Sequence, residues 1–217
     1  LALTTQRDTM ICMDAAGKVL RPAIVWLDQR RCDAPPDMGW LWNSAFRLAG
    51  ATQLVRHMQA EAEANWLAQH EPQLWQATDK FLFLSGWLTH RLVNEYVDST
   101  GCQVGYVPFD YKRLNWASPG DFKWKALAIR PQQLPRLVAP GDKLGKLEVS
   151  AAAMLGLPAG IPVIAAAAET RGSLVWNPGG AATRANVAVA IPIVSPSSAD
   201  GLISSDDLAA FTAPNDV

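Results

Sequence analysis

Gln6-Arg7-Asp8 and Asp28-Gln29-Arg30 stand where apolar, strand-forming segments end, so polar groups able to do chemistry sit at the edge of what reads as a buried frame. A carboxylate accepts hydrogen bonds and a guanidinium donates them, and strand ends are where α/β proteins usually hold a small polar ligand. Trp26, two residues before Asp28, adds an aromatic face to the second cluster. Metal chemistry finds little support. His57, His70 and His90 lack metal-ligand spacing, and Cys12, Cys32 and Cys102 form neither a C-x-x-C pair nor a Cys/His cluster, so reduced thiols are expected rather than zinc or disulfides.

The elements that must position these residues are legible from pattern. Residues 1–5, 11–13 and 19–26 read as three consecutive strands, the last two forming a hairpin across the polar turn Asp14-Ala15-Ala16-Gly17-Lys18. A short helix is expected over residues 40–50. A longer one follows over 53–69, with Leu54, Val55, Met58, Ala62, Trp66 and Leu67 on one face and Gln59, Glu61 and Glu63 on others, ended by Pro72. Another helix is expected over 79–92 from Phe81, Leu82, Leu84, Leu88 and Leu92. Residues 94–120 read as loop or strand, 144–149 as a strand and 150–155 as a short helix. Residues 161–168 are apolar on both faces and so suit the centre of a covered sheet. Beyond Glu169 the pattern offers a helix over 171–176, a strand over 186–194 and a small, polar tail. Trp66, Trp87 and Trp116 fall where core packing is expected.

A chain of 217 residues with 49% hydrophobic content can bury a substantial core. Its net charge of -1 and the lack of any Lys/Arg run exclude a basic field for nucleic acid. The apolar runs are too short to span a bilayer, and the N-terminus has no charged-then-apolar signal pattern, so a cytoplasmic protein is expected.

Four stretches in order resemble the FGGY carbohydrate kinases, the family of glycerol, xylulose, ribulose and gluconate kinases. Thr4-Thr5-Gln6-Arg7-Asp8-Thr9 is similar to the N-Q-R-E-T stretch of glycerol kinases, and residues 17–30 resemble the family hairpin that ends in W-x-D-x-R. Asn65-Trp66-Leu67 with Glu71-Pro72, residues 81–92 and Asp98-Ser99 form the third. Leu155-Gly156-Leu157-Pro158-Ala159-Gly160-Ile161-Pro162-Val163 is similar to the G-L-P-x-G-T-P-V that precedes the family's catalytic carboxylate. The resemblance implies a ribonuclease H-like (actin-like ATPase) α/β fold, a mixed sheet flanked by helices, with residues 1–176 as the sugar-binding first domain. It leaves residues 177–217 as the start of a second domain or a tail. It further implies ATP and Mg2+ as cofactors, a sugar or polyol as partner and a homodimer. The D-x-G-T turn of the opening strand and the nucleotide-binding second domain have no counterpart in the sequence.

Phosphorylating a hydroxyl needs a base for its proton. Counting from Pro162 as in the family, that position is Glu169, where the family has Asp. The extra methylene moves the oxygen by roughly 1 Å, a misplacement able to cost about 10²-fold in rate. Glu169 therefore reads as a working base with adjusted geometry, as the mark of altered activity, or as an ordinary strand-end carboxylate. Gln6, Arg7 and Asp8 match the family's polyol contacts, with a surface ion pair as the plainer reading. Asp28 suits ligand contact and a structural pair with Arg30 equally, and Trp26 is a candidate cleft residue. Two functions follow: the sugar-binding part of an ATP-dependent kinase, or a kinase-like binding module without phosphotransfer.

Overall fold

Strand pairing ties the first residues of the chain to the end of the part that the computed structural model describes, residues 1–167. Strands β1 (Ala2–Leu3), β8 (Lys143–Lys146) and β9 (Pro162–Ala165) form a sheet in the order β1-β9-β8. β9 is parallel to β1, with Leu3 opposite Ala165, and antiparallel to β8. β9 is thus central in its sheet as expected, but it is covered on one face only, with Val163 and Ala165 buried, Ile164 half-buried and Pro162 exposed.

The N-terminal expectation of three consecutive strands is corrected. Residues 1–5 shorten to β1 and join β9 instead of the hairpin. β2 (Met10–Met13) faces residues 19–24 only through the bridges Met10–Ile24 and Met13–Val19 and the bond from Leu20 N–H to Cys12 O at 2.9 Å. Pro22 has no N–H to give a continuous ladder there. β2 pairs fully with β3 (Lys80–Phe83), antiparallel, with Met10 opposite Phe83 and Met13 opposite Lys80.

β3 also corrects the helix expected over 79–92, which begins only at α5 (Leu84–Val93). Phe81 and Phe83 join Met10 and Cys12 in one core cluster, whereas Leu82 joins Ile11 and Met13 in another on the opposite face. Both periods bury these residues, but only the strand sorts them onto two separate apolar layers. The remaining pairs are β4 (Val97–Ser99) with β7 (Arg136–Val138), parallel, and β5 (Phe109–Asp110) with β6 (Asn115–Trp116), antiparallel.

Helix α1 (Gly39–Leu48) forms as expected, but the single helix expected over 53–69 is two, α2 (Thr52–Glu61) and α3 (Glu63–His70). Ala62, fully buried, adopts an extended ψ of 119° between them. The break frees a carbonyl that Asn65 recovers: its Nδ2 donates to Gln59 O at 2.8 Å and Ala126 O at 3.0 Å, and its Oδ1 accepts Ala128 N–H at 2.7 Å. Gln59 turns inward as well and is buried, against its expected outward placement. Pro72 opens α4 (Pro72–Ala77), and α6 (Lys123–Ala126) and α7 (Val149–Leu155) complete the helices among the described residues. Trp66, Trp87 and Trp116 pack against the core clusters, all three cysteines are buried and unpaired, and no described helix is long and apolar enough to cross a membrane.

Asn65→Ala would strand the Gln59 carbonyl and the Ala128 N–H and leave Ala126 O with only the longer bond from Gln59 Nε2 at 3.3 Å. It is expected to destabilise the protein by about 2–3 kcal/mol, near the top of the range for an orphaned buried polar group, measured by urea unfolding.

Candidate functional site

The parallel pairing of β1 with β9 means that the chain leaves both strands at the same edge of the sheet. Gln6, Arg7 and Asp8 follow β1 there, and residues 166–167 follow β9. Glu169, the sequence-nominated base, lies outside the described residues, as do the helix, strand and tail expected after it.

Asp8 is half-buried and held at a φ of 54°, in the left-handed region that Asp tolerates better than most residues. Its Oδ1 is buried without a hydrogen-bond partner, and the oxygen lies so close to Gly105 that a methyl group there would overlap it. Burial pushes its carboxyl above the usual range, and the charge of exposed Arg7 only partly offsets this. Gln6 is half-buried, and its Nε2 donates to Thr9 Oγ1 at 2.5 Å, which braces the turn between β1 and β2.

The second cluster is satisfied within itself. Asp28 Oδ1 accepts the Arg30 backbone N–H at 3.0 Å and its Nε at 2.7 Å, while Oδ2 pairs with an Arg30 terminal nitrogen at 2.7 Å. Arg30 in turn lies over the Trp66 ring, 4.4 Å from its centroid. Burial raises the Asp28 carboxyl, but the Arg30 hydrogen bonds and charge, helped by Arg21, outweigh it and hold the group below its ordinary value. This is the geometry of a bidentate structural pair. Trp26, 53% exposed, caps the preceding turn, in which Asp28 N–H donates to Val25 O at 2.8 Å, so its ring is free to meet a ligand or a partner.

Pattern reasoning missed Glu63. The break at Ala62 makes it the first residue of α3, where it is half-buried rather than on the outer face that a continuous helix would have given it. Burial pushes it up to about 8, the Asp8 charge adds to this, and Asp28 and Glu61 contribute further. Glu61 has a counterion in Arg31 at 2.7 Å and Asp28 has Arg30, whereas Asp8 and Glu63 form no salt bridge among the described residues. Tyr106 and Tyr111 border Asp8. Burial raises both phenols, and the Asp8 charge raises them further. A carboxylate only accepts hydrogen bonds whereas a carboxylic acid also donates one, so two acids raised by burial suit hydroxyl groups, which do both. No periodicity signal could have revealed Glu63, because its surroundings depend on a one-residue helix break held by Asn65.

Among the described residues no group of three or more His, Cys, Asp or Glu side chains is placed to hold a metal ion. A cavity of about 620 Å³ opens between α1, α2 and the segment before them, lined by Cys32, Met38, Phe46, Val55 and Gln59, and it holds none of the nominated residues.

Residues 1–175 match the N-terminal domain of the FGGY family of carbohydrate kinases. The chain belongs to that family. It is 32% identical over 181 residues to the L-fuculokinase of Escherichia coli (strain K12), an alignment covering 80% of this chain and 36% of that one. The xylulose kinase of the same organism is 25% identical over 175 residues, covering 81% and 35%. The crystal structure of xylulose kinase from Rhodospirillum rubrum superposes with a TM-score of 0.60 at 24% identity over 76% of this chain and 33% of that one. The fold is accordingly the ribonuclease H-like one of the sugar kinases, and the FGGY chain spans little more than a third of its relatives' length.

Glu63 carries a pH signature. Its folded value of about 8 against 4.5 in the unfolded chain means that the folded state keeps a proton the unfolded state has lost. Its contribution to stability therefore declines as pH rises from about 4.5 to 8. Glu63→Gln mimics the protonated acid and removes that decline. The variant should melt with the wild type at pH 4.5 and above it by about 2–4 °C or more at pH 9, in parallel thermal scans.

Proposed function

We propose that this chain forms the sugar-binding part of an ATP-dependent carbohydrate kinase that acts on a neutral sugar or polyol. The observation that carries the reading is the parallel register of β1 and β9, Leu3 opposite Ala165. It supports a common edge at which Asp8, five residues beyond Leu3, and Glu169, four beyond Ala165, serve one substrate.

In this reading Asp8 and Glu63 orient the sugar: the Asp8 carboxylate accepts one hydroxyl proton in a hydrogen bond, and the protonated Glu63 donates to a neighbouring hydroxyl oxygen. Glu169 accepts the proton of the attacking hydroxyl as the hydroxyl oxygen bonds to the terminal phosphorus of ATP, and the phosphorus–oxygen bond to the departing ADP breaks. ATP supplies the phosphoryl group. Mg2+ enters no step here, since the described side chains offer it no cluster of ligands. Arg30 and Asp28 act as a brace rather than as ligand contacts, because their bonding capacity is spent on each other and on Trp66. An uncompensated acid pair disfavours anionic ligands by like-charge repulsion, so neutral ketoses of the kind named for the L-fuculokinase and xylulose kinase relatives suit it better than sugar acids.

The test is sugar-dependent ATP consumption by the full-length protein against neutral ketoses, linear polyols and a sugar acid. Turnover with a neutral sugar and none with the acid is expected. Glu169→Gln should lower kcat by about 10²-fold or more, and unchanged turnover would remove it as the base. Asp8→Asn should raise the sugar KM by about 10-fold or more, the scale of a lost hydrogen bond to a charged group.

A further inference from the structure

Asp8 occupies space that another residue leaves empty. Its Oδ1 is buried without a hydrogen-bond partner, and it overlaps the place that a Cβ would take at position 105. Gly105 has a φ of 155° and lies on the loop between the 3-10 turn Thr100–Cys102 and β5. A Cβ there would also stand 3.1 Å from two ring carbons of Phe83, closer than ordinary van der Waals contact. Asp8, Phe83 and Gly105 are far apart in sequence, so the seat is a product of the fold.

The loop, the Phe83 ring and the Asp8 carboxylate could each give way to a side chain at 105, and their surroundings decide among them. The loop is fastened. Gln103, 1% exposed, donates from Nε2 to Asp98 Oδ2 at 2.8 Å and to Ser99 O at 2.9 Å. Asp98, itself buried, also accepts from Ser85 Oγ at 2.7 Å and from the Ser99 N–H at 2.7 Å, which ties the loop to α5 and β4. Beyond the glycine, Val107 N–H donates to Gly105 O at 3.0 Å. Phe83 is 4% exposed, lies in β3 opposite Met10 and packs in the core cluster, so a shift of its ring disturbs close-packed neighbours. The Asp8 carboxylate ends the short side chain of a half-buried residue, and no hydrogen bond holds Oδ1. Its rotation costs least.

We propose that Gly105 is a positioning residue for the sugar: the space left by its missing side chain seats the Asp8 carboxylate, and a side chain there turns that carboxylate out of the sugar site. This rests on the reading of Asp8 as a sugar contact. The displaced carboxylate keeps its charge but loses the direction of its hydrogen bond. Because that bond holds the sugar before and during phosphotransfer alike, the loss falls on the sugar KM and spares kcat.

The experiment measures kcat and the KM for sugar and for ATP of the full-length protein. Gly105→Ala should raise the sugar KM about 10-fold and leave kcat and the ATP KM within about twofold. Asp8→Gly removes the carboxylate and tolerates the positive φ at that position. In that background Gly105→Ala should change the sugar KM by less than about twofold, whereas damage passed through the loop or Phe83 would persist. The backbone cost of alanine at a φ of 155° is common to both backgrounds and cancels in the comparison. Where Gly105→Ala does not fold, Asp8→Glu tests the seat from the other side. The longer side chain keeps the charge but overreaches the space beside Gly105, and the sugar KM should rise about 10-fold. An unchanged sugar KM or a loss confined to kcat in Gly105→Ala overturns this proposal and leaves the kinase reading standing. So does a KM rise of the same size in the Asp8→Gly background or, where Gly105→Ala does not fold, an unchanged KM in Asp8→Glu. An unchanged KM in Asp8→Gly alone removes Asp8 as a sugar contact and this proposal with it, and no sugar-dependent turnover by the wild type overturns the kinase reading as well.

Discussion

The pairing of β1 with β9 is the constraint on which the site depends. Two residues near the start of the chain find partners some 160 positions later, and the Leu1 amino group adds a hydrogen bond to Pro162 O at 3.0 Å. So short a strand cannot hold itself. It is held because β9 runs between β1 and β8 and buries one face, so that Leu3, Val163 and Ala165 lose water together. Everything beyond these strand ends inherits its position from that register, including Asp8 on one chain segment and the approach to Glu169 on the other.

Around this edge the protein separates two kinds of carboxyl. Asp28 and Glu61 are neutralised by Arg30 and Arg31 and serve as framework. Asp8 and Glu63 have no such partner; burial raises both, and the Asp8 charge adds to the rise at Glu63. Leaving two acids uncompensated works against stability, which is the usual mark of a site whose groups wait for a ligand. Asp98 is a third case, a buried acid satisfied by neutral donors alone, and its bonds join α5 and β4 to the turn that meets the exit of β9.

The motif order along residues 1–163 was enough to place the chain in its family, and the two-faced hydrophobicity of 161–168 was enough to place a central strand. Asp28-Gln29-Arg30 was visible as a polar cluster, but whether Asp28 served a ligand or Arg30 was not, because the answer lies in how Trp66 stacks on the guanidinium from another helix. The helix expected over 79–92 shows the limit of periodicity. Phe81-Leu82-Phe83-Leu84 satisfies a helical stripe and an alternating strand alike, and only the presence of β2 with apolar layers on both sides selects the strand.

Sequence by itself determined the family, the central strand, the apolar framework and the candidates Gln6, Arg7, Asp8, Trp26, Asp28 and Glu169, since these depend on residue type and local order. Tertiary structure decided which carboxyls are free to act. Glu63 comes under the Asp8 charge in a fold where Ala62 breaks the helix and Asn65 repairs the break with bonds to residues 126 and 128, about 60 positions away in the chain. Periodicity describes one helix at a time. It cannot register a break whose stabilising partners come from elsewhere in the fold, nor a field built from charges on separate elements.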